Sequence, residues 1–243
     1  MVRFFVSSQE LYLEEPVLAG ENAQHAKVLR LKAGEQVLLC DGAGMEALCE
    51  ILEKGSGTVN LKTLERRPCR TEARVKARIY MAFPKSDKLE HVIQKATELG
   101  ACEIIAFPSE RCVSRPDDKS LKKKVDRWQK IAASAAEQSG RGIIPRVRTL
   151  SSFREALQEA AQADQALMFY EHEEALTLKA ALSQKPYETA SILTGPEGGL
   201  SEEEVEMARE AGLQVCTLGT RILRCETAPL CALSAIMYDS GEF

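Results

Sequence analysis

Apolar and polar positions follow two different patterns along this chain, and the pattern changes near residue 72. Before that point the apolar residues fall in short runs: Arg3–Val6, Gln36–Cys40, Glu46–Leu52 and Thr58–Leu64. These predict strands, with one short helix near Asn22–Leu29. Asp41-Gly42 and Gly55-Ser-Gly57 supply hairpin turns. Short strands so closely spaced predict a small barrel. Glu65–Thr71, polar and carrying Pro68, reads as a linker.

Beyond it, strand alternates with helix. Val75, Ala77, Ile79 and Met81 recur at period two within Val75–Phe83, and Leu89, Val92, Ile93, Ala96 and Leu99 then share one helical face. Asp87 and Glu90 read as a capping pair for that helix and Gly100 as its end. Cys102–Phe107 and Gln165–Phe169 predict further strands, and Lys119–Gln138 a long helix. Two more units close the sequence: Ser191–Thr194 leads into a helix over Glu202–Ala211, and Val215–Leu218 into one over Ala228–Tyr238. Strands separated by helical crossovers predict a largely parallel α/β sheet. The expected organisation is therefore a domain over residues 1–71 and a second over 72–243.

The turns in those last two units are the most informative stretches. The first runs through Leu193, Thr194, Gly195, Pro196, Glu197, Gly198 and Gly199 to Ser201, which forms a capping box with Glu204. The second runs from Leu218 and Gly219 through Ile222 and Leu223 to Thr227 and Ala228, with Pro229 in a permitted first-turn position. The two turns are expected side by side at the carboxyl edge of the sheet, where backbone N–H groups and helix N-termini converge on ligands. Their glycines let the main chain approach a ligand closely. The end of the preceding strand, Met168–Glu171, is a candidate third wall. Gly42–Ala47 matches a loose dinucleotide pattern, but the run after it stops at Gly55, leaving little room for a crossover helix. A tight hairpin explains it more simply than a nicotinamide-cofactor site.

Composition narrows the setting. No apolar run approaches membrane-spanning length, and acids at Glu10, Glu14 and Glu15 are unlike a signal peptide. The eight cysteines contain no Cys-x-x-Cys, and none stands at metal spacing with His25, His91 or His172. A reduced, cytoplasmic protein without a structural metal is the expectation. The net charge of −4 is unevenly spread, with 17 Lys/Arg against 10 Asp/Glu over residues 72–150 and 6 against 16 beyond. The basic middle segment suits a phosphate-facing surface, though Lys122–Lys124 read more simply as a solvated helix face.

The two glycine turns, together with Glu137-Gln-Ser-Gly-Arg141, Lys85-Ser-Asp-Lys88, Arg3-Phe-Phe5 and His25–Leu31 upstream, resemble the RsmE family of 16S rRNA uracil-N3 methyltransferases in the SPOUT superfamily. The resemblance spans essentially the whole chain. It implies a trefoil-knotted α/β domain preceded by a PUA-like RNA-binding barrel, S-adenosylmethionine as cofactor, a homodimer, and 16S rRNA or the small ribosomal subunit as partner. Periodicity itself gives no reason to expect a knot, since knots are rare.

The implied chemistry assigns candidate roles. N3 of uracil is a weak acid that must lose its proton before attacking a methyl group. A guanidinium near O2 or O4 stabilises the developing anion, and Arg141, Arg221 and Arg224 compete for that role. A carboxylate can receive the proton, and Glu137 and Glu226 are the motif acids, with no ground in the residues for choosing between them. Leu193, Leu218, Ile222 and Leu223 are candidates for an apolar adenine slot. For RNA, Arg3, His25, Lys27, Arg30 and Lys32 in the first domain, and Lys85, Lys88, Arg111 and Arg115 in the second, are candidate phosphate and 2′-hydroxyl contacts. Rival readings are a ribose 2′-O-methyltransferase of the same superfamily and a non-catalytic RNA-binding or ribosome-assembly protein.

Overall fold

The computed structural model describes residues 1–113 and 118–243. The chain divides into two compact units, Met1–Glu72 with Ala136–Ile144, and Ala73–Ala135 with Pro145–Phe243.

The first unit contains β1 (Arg3–Phe5), α1 (Ser8–Leu11), β2 (Val17–Leu18), α2 (Gly20–Val28), β3 (Gln36–Cys40), β4 (Met45–Lys54) and β5 (Val59–Pro68). In hydrogen-bonded terms the expected barrel is a five-stranded mixed sheet of order β1-β3-β4-β5-β2, with β1 parallel to β3 and the other pairs antiparallel. Phe4, Leu11, Leu18, Val37, Leu39, Ile51 and Leu61 form its core. The Asp41-Gly42 turn is a hairpin between β3 and β4. The Asp41 carboxylate accepts from the N–H groups of Ala43 at 2.8 Å and Met45 at 3.0 Å, which pins the loop. That geometry leaves no crossover helix for a dinucleotide fold.

Glu65–Pro68 is a correction: these residues are not linker but the second half of β5, paired with β4 up to Met45↔Pro68. Their two arginines are held by partners across the unit. Arg66 donates to the carbonyls of Leu11, Tyr12 and Leu13, and Arg67 pairs with Glu46 at 2.8 Å. Pro68, lacking an N–H, stands at the strand end where no ladder bond is lost.

The second unit contains β6 (Lys76–Ala82), α3 (Lys88–Glu98), β7 (Glu103–Phe107), α4 (Asp118–Ser139), β8 (Arg146–Thr149), α5 (Phe153–Ala160), β9 (Gln165–Phe169), α6 (Leu178–Leu182), β10 (Thr189–Thr194), α7 (Glu202–Glu210), β11 (Gln214–Cys216) and α8 (Ala228–Asp239). Residues from Ala136 onward in α4 group with the first unit. Its six strands, in order β11-β9-β10-β6-β7-β8, are all parallel. Ile79, Met81, Ile104, Leu167 and Ile192 are fully buried, as expected of strands covered on both faces. No helix among the described residues is long and apolar enough to cross a membrane.

Two local expectations change here. Asp87 occupies the N-cap position of α3, but its side chain makes no capping hydrogen bond, and Glu90 instead binds Arg127 at 2.7 Å. The glycine turns are not neighbours in the sheet either, because β9 lies between β10 and β11.

Candidate cofactor and active site

The turn after β10 is held from several directions. Ser201 and Glu204 complete the expected capping box, and the Glu204 carboxylate, 6% exposed, also accepts from the Glu110 N–H at 2.8 Å. Within the turn, Gly199 donates its N–H to the Pro196 carbonyl at 3.0 Å. Gly199 has φ +68°, and a Cβ there would collide with the Glu171 carboxylate at the end of β9. The left-handed backbone there favours glycine, and a side chain would have to displace the Glu171 carboxylate.

This turn, the segment Thr217–Cys225 after β11, and Phe169, Tyr170 and Glu171 after β9 enclose a cavity of about 360 Å³. It lies at the carboxyl edge of the parallel sheet, where open α/β sheets bind ligands. Although β9 separates the two turns in the sheet, both reach this cavity, and the strand between them supplies the third wall. Thr194, Gly195, Pro196, Glu197 and Gly199 line it from the first turn, and Leu218, Gly219, Ile222, Leu223 and Ala228 from the second. Three expected cofactor residues do not line it. The Leu193 side chain is wholly buried in the sheet. Gly198 packs on Arg111, whose Nη1 donates to its carbonyl at 3.1 Å, and Thr227 is exposed at the start of α8.

Two features of the lining point to a polar ligand. Among the described residues Thr194 Oγ1 is buried without a hydrogen-bond partner, a state that costs free energy unless something bonds it. Gly219, at φ +102°, faces open space, so its backbone stands clear.

The charges at the cavity form one network. Lys88, from the first turn of α3, lines the cavity and binds Glu197 at 3.1 Å and Glu226 at 3.3 Å. The Lys85 backbone N–H donates to Glu197 at 3.0 Å, and the Cys225 thiol donates to Glu226 at 3.3 Å. Hydrogen bonding to Glu197 is the chief reason the Lys88 ammonium is held above its ordinary range. Burial alone would raise the Glu226 carboxyl. Its own backbone N–H, the Cys225 thiol and Lys88 together outweigh that and hold it below the usual range. Glu197 is likewise lowered, against burial, by its own and the Lys85 N–H groups and by Lys88. Burial and then Glu226 push the Cys225 thiol up to about 12, so it remains a neutral donor. Arg221 and Arg224 line the same cavity with exposed side chains.

Other expected site residues are engaged elsewhere. Arg141 is 4% exposed, and its Nη2 binds Glu72 at 2.6 Å. Glu72 also accepts from the N–H groups of Gly142 and Ile143 at 2.9 and 3.0 Å. This arginine closes the end of α4 within the first unit. Glu137 pairs there with His25 at 2.9 Å. Arg3, a candidate RNA contact, is 7% exposed, donates to Cys40 Sγ at 3.1 Å and pairs with Glu46 at 3.2 Å. Arg30, Lys27 and Lys32 are exposed around the end of α2, as are Lys85 and Arg111 in the second unit. Arg115 lies outside the described residues.

Of the cavity residues, Leu200 and Thr217 fall just outside the two stretches expected to hold the cofactor, Leu193–Gly199 and Leu218–Ala228, and Lys88 was expected to face RNA. Its position at the helix start after β6 was the available signal, since that start lies at the same sheet edge as the turns.

Two segments of the chain each match a known domain. Residues 18–64 match an RNA methyltransferase PUA domain and residues 71–237 an RNA methyltransferase domain. The chain is 41% identical over 249 residues to the ribosomal RNA small subunit methyltransferase E of Bacillus subtilis, a match covering 99% of this chain and 97% of the relative. The chain belongs to the ribosomal RNA small subunit methyltransferase E family. The member from Mycobacterium bovis is 33% identical over 223 residues, covering 90% of this chain and 85% of its own. A crystal structure of the Neisseria gonorrhoeae member bound to S-adenosyl methionine has a TM-score of 0.87 at 30% identity, covering 98% and 97% of the two chains. In this family's terms, the mixed sheet is the PUA domain and the all-parallel sheet the methyltransferase domain.

Proposed function

We propose that this chain methylates N3 of a uridine in small-subunit ribosomal RNA with S-adenosylmethionine, working in the cytoplasm as a homodimer. The observation that carries the reading is the cavity walled by the two glycine turns, in a chain of this family. Its residues fit the cofactor. The partnerless Thr194 Oγ1 suits a polar group of the ligand, the backbone around Gly195 and Gly219 suits the edge of adenine, and Leu218 and Leu223 offer an apolar wall. Helix α8 follows β11 at the sheet edge yet packs against β10 and β6 at its centre, a path that supports the knotted crossing.

When bound, the cofactor supplies an electrophilic methyl group on a sulfonium, so no covalent nucleophile is needed from the protein. The protein's work is to place the base, carry its charge and accept its proton. Arg221 and Arg224, both at the cavity, are suited to hold the uracil oxygens as N3 loses its proton. Glu226 is the better placed of the two motif acids to accept the proton, because it follows the cavity-lining Cys225 and touches the cavity-lining Lys88, whereas Glu137 belongs to the other unit. The base must be unpaired or extruded, since N3 is occupied in a Watson–Crick pair. Arg30, Lys27 and Lys32, with Lys85 and Arg111, are suited to the phosphate backbone.

The test is to incubate purified protein with S-adenosylmethionine and small subunits from a strain lacking the enzyme, then identify the modified nucleoside by mass spectrometry. 3-Methyluridine is the expected product. A ribose-methylated nucleoside, or none, overturns the reading.

A further inference from the structure

Lys88 stands where three loops of the methyltransferase domain meet. Its ammonium touches Glu197 from the turn after β10, and Glu226 and, at 3.7 Å, the Cys225 sulfur from the segment after β11. The loop that delivers it, between β6 and α3, is shaped for this contact rather than for the helix it begins. Ser86 sits at φ +56°, a left-handed conformation costly for a residue with a Cβ. Asp87 forgoes its capping bond, while the neighbouring Lys85 N–H is turned onto Glu197. Strain of this kind persists only where surrounding contacts enforce it, and it gathers at functional sites. The side chains of Lys88, Glu197 and Glu226 are 30%, 28% and 19% exposed, so the cluster is partly sheltered from water.

We propose that Lys88 is a positioning residue for the methyl transfer: it ties the two glycine-bearing cofactor loops together and orients the Glu226 carboxylate toward the substrate base. This rests on the reading of Glu226 as proton acceptor given above. One ammonium shared by two carboxylates on separate loops holds both loops at a set distance. The Lys88 and Cys225 contacts both fall on one oxygen of Glu226, Oε2. The role differs from that of a phosphate contact, which would leave the ammonium unpaired and facing solvent.

The experiment compares wild type, Lys88→Met and Lys88→Arg in kcat and KM for small subunits, with S-adenosylmethionine affinity by calorimetry and folding by circular dichroism. For Lys88→Met, kcat falls on the order of tenfold to a hundredfold, the range that misplacing a reacting group costs, and the KM for RNA changes little. Lys88→Arg, which keeps a cation able to bridge two carboxylates, recovers most of kcat. A folded Lys88→Met variant with wild-type kcat overturns the proposal. So does one with a raised KM for RNA alone and a shallower salt dependence, which marks a phosphate contact. If Lys88→Met fails to fold, Lys88→Arg decides: a kcat as low as that of Glu226→Gln overturns it. Failure of wild type to form 3-methyluridine would instead sink the underlying function.

Discussion

The two units use charge in opposite ways. In the first, the motif arginines Arg3 and Arg141 are taken up by carboxylates, Arg3 sharing the buried Glu46 with Arg67 and Arg141 closing on Glu72. At the carboxyl edge of the parallel sheet, Arg221 and Arg224 line a cavity instead, beside a Lys88 that is itself paired. An arginine just past a helix-ending glycine reads the same in either setting. Whether it holds the fold or meets a ligand depends on whether a carboxylate reaches it first, and that carboxylate can lie 69 residues away, as Glu72 does from Arg141.

The sharpest way to break this contrast is Arg141→Ala. Removing one partner leaves the partly buried Glu72 carboxylate without its counter-charge, which costs up to about 3 kcal/mol. Urea unfolding should show that loss. Unchanged stability with methyl transfer abolished would make Arg141 part of the chemistry and erase the distinction.

Arg224→Ala and Arg221→Ala probe the other side. Both variants should fold with wild-type stability, and at least one should lose on the order of a hundredfold in kcat, the cost of removing a preorganised donor. Equal destabilisation in both would mean that these arginines, too, are structural.

Gly219→Val comes next. The side chain enters the open space beside the second turn and is strained at φ +102°, so S-adenosylmethionine affinity should fall at least about tenfold, roughly 1.4 kcal/mol. Gly198→Val is the control, because its Cβ meets Arg111 rather than the cavity. An equal loss of affinity in the control would show that the turn as a whole, not its cavity side, governs binding.

The pH dependence has a definite sign. Glu197 and Glu226 are held below the ordinary carboxylate value in the folded state. Their contribution to stability is therefore complete above the unfolded value of about 4.3 and is lost as pH falls through their lower folded values. Thermal midpoints of wild type and Lys88→Met should differ most at neutral pH and converge in acid. Divergence in acid would contradict the network described.

The smallest effect belongs to the exposed Lys122–Lys124 run on α4. Lys123→Ala should leave stability within about 0.5 kcal/mol. A drop of about one in the salt slope of RNA binding would mark it as a phosphate contact, and no change as a solvated face.

Local pattern carried most of the fold into view. The period-two run over Val75–Phe83, the amphipathic face of α3 and the Ser201–Glu204 capping box each rest on neighbours within a few residues, and each formed. The extent of β5 did not, because Glu65–Pro68 look like linker until Leu11, Tyr12, Leu13 and Glu46 satisfy their arginines. β8 was missed as well. It is a short strand at the sheet edge whose Arg148 is balanced by Glu103 and Glu159, and a charge in an edge strand hides its period. Glycine spacing was enough to mark the two cofactor turns, since backbone freedom is written in the residues themselves. Which charges join them at the cavity was settled by the crossing of distant loops: Glu72 withdraws Arg141 into the first unit, and Glu197 and Glu226 draw Lys88 inward. Partner choice among charges is a matter of proximity in space, and no local pattern encodes it.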